Sequence, residues 1–322
     1  MADLLAQLGV EQPVLQAGMG GGLATSALAV AVSDAGGLGT IGLLPPDALR
    51  AEIAAVRVQT GKPLAVNLIV PFARRAHWDV ASEADVVVTH WETSPRRRTA
   101  KTWIHTIGTD AEALAAVAAG ADAVIAQGVE AGGHVRGTIP ALELLDQVRR
   151  AVGPRFPVLV AGGIATAVDV QTALEAGAVA AVAGTAFLAT EESGAHVGYK
   201  ERLVESDDTV LTELFGMAWP RAPHRVLHNE ATRRWLKDDT RGPAGVRALH
   251  TVLSPLARLT PMSVQMRMAG RAASGPLDLA PSAPVDGMSS ATLETHPLYA
   301  GATVARITEI RPAAIVLDDL TP

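Results

Sequence analysis

The 322-residue chain contains no cysteine, and this absence removes several kinds of chemistry at once. A protein without thiols forms no disulfide, binds no zinc through thiolates and holds no iron–sulfur cluster through cysteine. It also has no cysteine nucleophile. Catalysis by this chain must therefore use other side chains or a bound cofactor.

An excess of positive charge is absent too. The formal net charge is −6 and the pI is near 5.8, so no overall basic field attracts nucleic acid or anionic lipid. The run Arg96-Arg97-Arg98 is local and typical of a solvated loop. We therefore expect neither a nucleic-acid partner nor a membrane partner.

The chain also shows no targeting pattern, because Asp3 stands where a secretory signal would be basic. Residues 13–33 carry no charge and are long enough to span a membrane, but they include four glycines and several polar residues. They fit better a strand, a glycine loop over 18–22 and a helix over about 24–35 that ends at Gly36. The sequence thus predicts a cytoplasmic protein.

Apolar, strand-like runs alternate with alanine-rich, helix-like segments through the first part of the chain. Gly120 and Gly177 begin two similar sequences, GADAVIAQG and GAVAAVAGT, which lie two βα units apart. Eight parallel strands alternating with helices predict a (β/α)₈ TIM barrel, and an open doubly wound sheet is the alternative. The predicted strands are 13–17, 37–42, 63–69, 84–89, 101–107, 121–127, 156–161 and 178–183.

This alternation stops near residue 190. We expect a barrel core over 1–190 and a C-terminal extension of helices and loops over 191–322 that covers the barrel mouth, with a separately folded domain as the alternative. The segments 71–83 and 93–100 are short for barrel helices, whereas 241–273 is expected to be helical. Bulky residues in the extension are suited to closing a small pocket: Trp219, Pro220, Pro223, Trp235 and Leu236.

The loop after the sixth predicted strand is the strongest candidate for chemistry, because sites of α/β barrels lie at strand ends. Gly132 and Gly133 allow backbone amides to approach a flat ligand, and His134 can exchange a proton near neutral pH. We expect Glu130 to stabilise this loop through backbone amides rather than act as an acid. The alternative for His134 is a hydrogen bond to backbone only.

Glycine-rich turns follow the last two predicted strands. Gly162-Gly163 and Gly184-Thr185 offer backbone N–H groups and a hydroxyl, which together predict a phosphate cradle. After the first strand, Gly18-Met19 offers close backbone approach and a flexible thioether.

Polar residues at other strand ends predict further contacts with a ligand. Asn67 and Gln127 end apolar runs with amides that suit the polar edge of a ring, although each could instead bond to backbone. His90 and His105 lie near the ends of two other strands and are second-rank candidates. The spacing of histidines and carboxylates predicts no metal site.

Taken together, these motifs resemble the nitronate monooxygenase family, formerly called 2-nitropropane dioxygenases. This FMN-dependent barrel group is itself similar to the flavin-containing enoyl-acyl-carrier-protein reductases. The matching pieces run in order over residues 13–193 and include PVLQAGMGGG, GADAVIAQGVEAGGHVRG, PVLVAGGIATAVDV and AGTAFLATEES. The resemblance implies that His134 is the catalytic histidine. Expected FMN contacts are Ala17, Gly18, Met19, Asn67, Thr106, Gln127, Gly132, Gly133, Gly162, Gly163, Gly184 and Thr185.

The resemblance implies oxidation of an alkyl nitronate by O₂ to a carbonyl compound and nitrite. Its partners are then a small nitronate or nitroalkane and O₂, and a homo-oligomeric assembly is left open. Two alternatives remain: an FMN- and NAD(P)H-dependent enoyl-thioester reductase, and a non-catalytic binder of flavin or another phosphate ligand. The chain departs from the family pattern at Thr106, where relatives often carry Lys or Gln, and at Val135-Arg136-Gly137 after the histidine.

Overall fold

The computed structural model describes residues 4–92, 101–237, 239–260, 262–264 and 275–322. The Arg96-Arg97-Arg98 run and the predicted short helix over 93–100 lie outside the described residues. Residues 261 and 265–273, at the end of the helix predicted over 241–273, also lie outside the described residues.

Eight parallel strands form a nearly closed barrel, which confirms the predicted fold. Val14–Gln16 (β1) pairs with the last barrel strand on one side. On its other side Gln16 N donates to Leu38 O at 3.0 Å, just before β2. The remaining barrel strands are Gly39–Ile41 (β2), Leu64–Ile69 (β3), Val86–His90 (β4), Thr102–Ile107 (β5), Ala123–Gln127 (β6), Val158–Ala161 (β8) and Ala181–Ala183 (β9).

Period-two alternation sorts the barrel side chains into two layers. Val88 and Ile104 point into the barrel, where they pack with other apolar side chains. Val87 and Trp103 point outward and pack under the helices. Because both faces are buried, these strands are rich in β-branched residues. The same alternation decides which polar side chains at the strand ends can reach the barrel mouth.

The helices around the barrel begin and end largely where the sequence signals lie. Thr109 accepts a hydrogen bond from Glu112 N, and Gly120 and Gly177, both at positive φ, follow two helix ends. The segment after β3 holds a single 3₁₀ turn (Val70–Phe72) and a seven-residue helix, as expected for a shortened barrel helix. Helices of this part are Leu4–Leu8 (α1), Ser26–Asp34 (α2), Pro46–Gln59 (α3), Arg75–Ala81 (α4), Asp110–Ala118 (α5), Ala141–Val152 (α6), Ala167–Glu175 (α7) and Thr185–Leu188 (α8).

The C-terminal extension covers the barrel mouth and ends on the barrel wall. A three-stranded antiparallel sheet joins Gly133–His134 (β7) of the barrel loop to His224–Val226 (β11), which also pairs with Val210–Thr212 (β10). Ala313–Leu320 (α13) buries Val316 and Leu317 in the main core beside α2. The other described elements of the extension are Val197–Glu205 (α9), Glu230–Trp235 (α10), Ala244–Leu259 (α11), Thr292–Thr295 (α12) and a 3₁₀ turn at Val304–Arg306. The domain boundary at residue 190 stays a prediction.

Within the described ranges, no helix is both long and apolar enough to cross a membrane.

Candidate active site

A cavity of about 310 Å³ lies at the C-terminal ends of the barrel strands, between the strand-end loops and the extension. The structure brings every predicted site residue to its wall. These residues are Ala17, Gly18, Met19, Asn67, Thr106, Gln127, Gly132, Gly133, His134, Gly162, Gly163, Gly184 and Thr185.

His134 lies where the barrel loop meets the extension. It pairs in register with His224 of β11, and its ring stacks on Trp219 with centroids 4.0 Å apart. The Nε2 atom of His134 is buried and has no hydrogen-bond partner among the described residues. Burial, and then the nearby His224 and His90, hold the pKa of His134 well below its usual 6.5. His134 is therefore a neutral imidazole with one ring nitrogen that has no hydrogen-bond partner in the described structure.

Gln127 holds the strand that carries His134. Its amide nitrogen donates to the backbone oxygen of His134 at 3.2 Å, and its amide oxygen accepts from Arg136 N at 2.7 Å. The alternative prediction for Gln127 was that its amide bonds to backbone, and the side chain makes such contacts. Gln127 also lines the cavity, and its contact with a cofactor stays a prediction.

Glu130 stabilises the same loop. Its carboxylate oxygens lie 3.0 and 3.2 Å from Ala141 N, at the start of α6. A carboxylate at this position satisfies an N–H group that has no partner within the helix and complements the helix dipole. Arg225 adds a bond of 2.8 Å from its guanidinium to Val129 O. The expectation that Glu130 binds backbone amides is confirmed.

One wall of the cavity, which we call the glycine floor, consists of Gly18, Gly132, Gly162, Gly163 and Gly184. At Gly18 a Cβ atom would lie 2.1 Å from Cβ of Asn67, so only glycine admits the buried asparagine. At Gly132 a Cβ atom would lie 2.6 Å from Gly301 N of the extension. The glycines therefore allow backbone and the Asn67 amide to face the cavity directly.

The predicted phosphate cradle forms one end of the glycine floor. Gly162 and Gly163 adopt φ values of 111° and 77°, which favour glycine. Thr185 accepts a hydrogen bond from Gly301 N at 2.9 Å through its hydroxyl oxygen. Its O–H remains able to donate, because a hydroxyl is both donor and acceptor. Gly301 joins this end from the extension, and the sequence motifs did not indicate it.

An aromatic cluster, which we call the aromatic roof, consists of Phe72, Trp219 and Tyr299, which line the cavity, and of Trp91, which contacts Trp219. Trp219 lies at its centre, 5.0 Å from Phe72 and 5.0 Å from Trp91 in edge-to-face contacts, with ring centroids as end points. The ring of Tyr299 lies 5.6 Å from that of His134, and its hydroxyl donates to Pro281 O at 2.8 Å. These rings bound the space beside the histidine.

The predicted closing residues of the extension are only partly correct. Trp219 lines the cavity, but Pro220, Pro223, Trp235 and Leu236 are not among the described residues of its wall. Trp235 and Leu236 instead pack against a separate apolar cluster of the extension. Tyr299 and Phe72 take part in place of these four residues, and no local motif marks either of them.

The two second-rank histidines have opposite environments. His90 points into the cavity, its Nε2 is buried without a partner, and burial lowers its pKa to about 3. His105 points outward and binds the Thr89 hydroxyl at 2.7 Å, which also accepts from Trp103 Nε1. Burial lowers the pKa of His105 to about 4. His105 is thus a packing residue, whereas His90 lines the cavity.

The wall of the cavity is poor in charge. Among its described residues Glu130 is the one charged side chain, and no lysine or arginine is present. The described residues also contain no cluster of three or more His, Asp or Glu side chains that could hold a metal ion. The cavity therefore binds through neutral donors, backbone and aromatic surfaces.

Comparison with known proteins agrees with this geometry. The family model described as nitronate monooxygenase matches residues 2–95 and 94–322. A nitronate monooxygenase of Pseudomonas aeruginosa is 34% identical over 285 residues, covering 70% of this chain and 80% of that protein. A (3aS,4S,5R,7aS)-5-hydroxy-7a-methyl-1-oxo-octahydro-1H-indene-4-carboxyl-CoA dehydrogenase of Mycobacterium tuberculosis is 34% identical over 241 residues, covering 70% of this chain and 66% of that protein.

Two solved structures share the whole fold. FabK from Thermotoga maritima superposes with a TM-score of 0.77 at 31% identity, covering 98% of this chain and 94% of that chain. Nitroalkane oxidase from Streptomyces ansochromogenes gives a TM-score of 0.76 at 31% identity, covering 98% and 96%. These matches place the protein among flavin-dependent oxidoreductases. The chain belongs to the nitronate monooxygenase family.

Proposed function

We propose that the protein binds FMN in this cavity and oxidises small alkyl nitronates with O₂ to a carbonyl compound and nitrite. The observation that carries the proposal is the buried, unpartnered Nε2 of His134, a residue of the cavity wall. A neutral imidazole at such a position is suited to proton transfer with a bound substrate. FMN would supply the redox chemistry and the reaction with oxygen.

The residues of the cavity fit FMN. Ala17, Gly18 and Met19 would line the ring system, where the missing side chain at Gly18 permits close backbone approach. Asn67 is buried at the cavity wall and carries both donors and an acceptor, which suits the polar edge of the ring. Thr106, on β5, would lie beside the ring system.

The phosphate of FMN would lie at Gly162, Gly163, Gly184 and Thr185. Backbone N–H groups and the Thr185 hydroxyl would hold it without a cationic side chain, as neutral donors commonly do at glycine-rich turns. The Glu130 carboxylate lies near these glycines, but it is directed to Ala141 N. Four neighbouring donors of this kind suit one terminal phosphate, and we therefore propose FMN rather than a dinucleotide.

His134 would act on the substrate in one of two protonation states. Its lowered pKa makes the neutral form the resting state, so Nε2 can take a proton from the carbon beside a nitro group. Neutral nitroalkanes are accordingly a second substrate class in this proposal. After taking up a proton, the imidazolium would hold the resulting anion. The stack with Trp219 and the pairing of β7 with β11 keep the ring in place.

The second candidate function is an enoyl-thioester reductase, which the likeness to FabK favours. Such an enzyme must bring a nicotinamide dinucleotide or an acyl carrier to the flavin, and both bear additional phosphates. The described wall of the cavity has no lysine or arginine to bind them. The aromatic roof also narrows the space beside His134. Both observations support the nitronate reaction over the reductase.

The test begins with the purified holoprotein. We expect a yellow protein whose released cofactor is FMN, and which consumes O₂ and forms nitrite when a propyl nitronate is added. Bound FMN with no turnover of nitronates, nitroalkanes or enoyl thioesters would indicate the non-catalytic binder. A colourless protein that does not take up added FMN would contradict the proposal entirely.

A further inference from the structure

Trp219 covers one face of the His134 imidazole. The two rings lie 4.0 Å apart between centroids with an interplanar angle of 21°, and Trp219 is only 5% exposed. The indole covers a face of the imidazole, whereas Nε2 lies in the plane of that ring. A ligand would therefore approach Nε2 along the edge of the imidazole. A reacting carbon must therefore enter beside the indole.

The indole is fixed from its other side. Phe72 and Trp91 contact Trp219 edge to face at 5.0 Å each, with interplanar angles of 74° and 65°. Aromatic edge-to-face contacts stabilise beyond the area they bury, so rotation of the indole away from His134 would be costly. Trp91 is itself covered by the Arg136 guanidinium, 5.0 Å above its ring. Trp219 is thus a rigid wall.

The remaining ring neighbours of His134 are neutral. His224 lies 5.2 Å from the ring of His134, and its two nitrogens are engaged by Ala222 O at 3.0 Å and Phe215 N at 3.2 Å. Tyr299 and His90 are the other titratable groups that face His134. Trp219 is therefore the neighbour whose size can be reduced without removing a hydrogen bond.

We propose that Trp219 sets the width allowed at the reacting carbon, favouring substrates with one alkyl group there over substrates with two. This proposal rests on the proposed function and deepens it, since it names the substrate class as primary nitronates and nitroalkanes. A second alkyl group on the carbon would meet the indole. The lowered pKa of His134 agrees with a tight cover, because burial is its largest cause.

The test compares two isomers, propyl-1-nitronate and propyl-2-nitronate, which differ only in branching at the reacting carbon. We expect the wild type to prefer the primary isomer in kcat/KM by about 10-fold or more, the scale on which one methylene discriminates in an apolar pocket. In Trp219→Leu this preference should fall to near unity, while Trp219→Phe should keep most of it. Trp235→Phe, outside the cavity wall, serves as the matched control and should leave the ratio unchanged. An unchanged ratio in a folded, flavin-containing Trp219→Leu protein would overturn the proposal.

A second readout does not depend on turnover. The rate at which diethylpyrocarbonate modifies His134, followed by peptide mass, should rise several-fold in Trp219→Leu and stay at the wild-type value in Trp235→Phe. Equal rates in all three proteins would show that the indole does not cover the imidazole, and would also overturn the proposal. If the wild type oxidises neither nitronate, the proposed function fails, whereas the modification rates still report whether Trp219 is the cover.

Discussion

The glycine floor and the aromatic roof border one cavity and are built from opposite kinds of residue. The floor presents backbone and almost no side chain, and its glycines stand at the ends of barrel strands. The roof presents large rings, although aromatic residues make up only 3% of the chain. Its rings come from two barrel loops and two parts of the extension.

This difference separates two tasks. The floor is fixed by the barrel and offers N–H groups and close approach, which suit a cofactor that must be held in one position. The roof is fixed by packing between distant segments, and we propose that it decides which small molecules fit beside His134. Cofactor affinity and substrate selectivity should therefore respond to different substitutions. The following predictions test that separation, beginning with the largest effect.

A charge placed in the floor should remove the cofactor. Thr185→Glu sets a carboxylate where the FMN phosphate is proposed to bind, and repulsion between the two anions should leave the protein colourless but folded. Thr185→Ser keeps the hydroxyl that accepts from Gly301 N, and should keep the flavin. Absorption of the purified proteins and equilibrium dialysis with FMN measure this. Equal FMN affinity in the glutamate variant would move the phosphate site elsewhere.

Removal of the histidine between floor and roof should spare the cofactor and reduce catalysis. His134→Ala should keep FMN and lose about 10²–10⁴-fold in kcat/KM for a neutral nitroalkane, the usual cost of removing a positioned proton-transfer group. The measurement is nitrite formation at matched flavin content. A rate near that of the wild type would show that the role of His134 is purely structural.

The pH dependence of the same reaction provides a further check. Because the pKa of His134 is lowered, kcat/KM for a neutral nitroalkane should rise with pH through one ionisation below 6.5 and then level off. That ionisation should be missing in His134→Ala. A wild-type profile that still rises well above neutral pH would assign the proton transfer to another group.

Much of the floor is readable in the sequence because it depends on local rules. Strand ends, helix stops and glycine pairs carry their own signals, and a barrel brings the ends of all its strands to one mouth. The roof depends on contacts between positions as distant as Trp91 and Trp219, and a lone aromatic residue carries no local sign of its partner. The sequence therefore contains no local signal for Tyr299 at the site.

The two second-rank histidines show a signal that could have been used. His90 stands two residues after Val88, and His105 stands one residue before Thr106. Period-two alternation therefore places His90 inside the barrel and His105 outside. Once one inward position on each strand is known, this alternation separates the two histidines.

Acid should destabilise the fold through its buried neutral histidines. Burial lowers the pKa to about 3 for His90, about 4 for His105 and about 4 for His224. The unfolded chain takes up protons below about pH 6.5 that the folded chain excludes, which costs about 1.4 kcal/mol per pH unit for each histidine. The free energy of unfolding should thus be fully retained above that pH and fall towards pH 4. Urea midpoints at about pH 8 and pH 5 test this, and equal midpoints would contradict it.

The smallest predicted effect distinguishes the two second-rank histidines from each other. His90→Gln should alter the flavin spectrum or KM, because its Nε2 lies at the cavity wall. His105→Gln should leave both unchanged and lower stability by about 1 kcal/mol through the lost bond to Thr89. Spectra and urea unfolding of the two variants provide the comparison. A kinetic effect confined to His105→Gln would indicate that His105, and not His90, points into the barrel.

The most direct test of the account is anaerobic stopped-flow absorbance of the holoprotein in the flavin band. A floor suited to one FMN, a roof that narrows the site and a wall whose described residues include no lysine or arginine together predict rapid bleaching by a small primary alkyl nitronate. NADH and NADPH should bleach the flavin only very slowly, and admission of air should restore the colour and consume oxygen. Fast bleaching by either nicotinamide nucleotide, with none by nitronate, would contradict the account and assign the protein to the reductases.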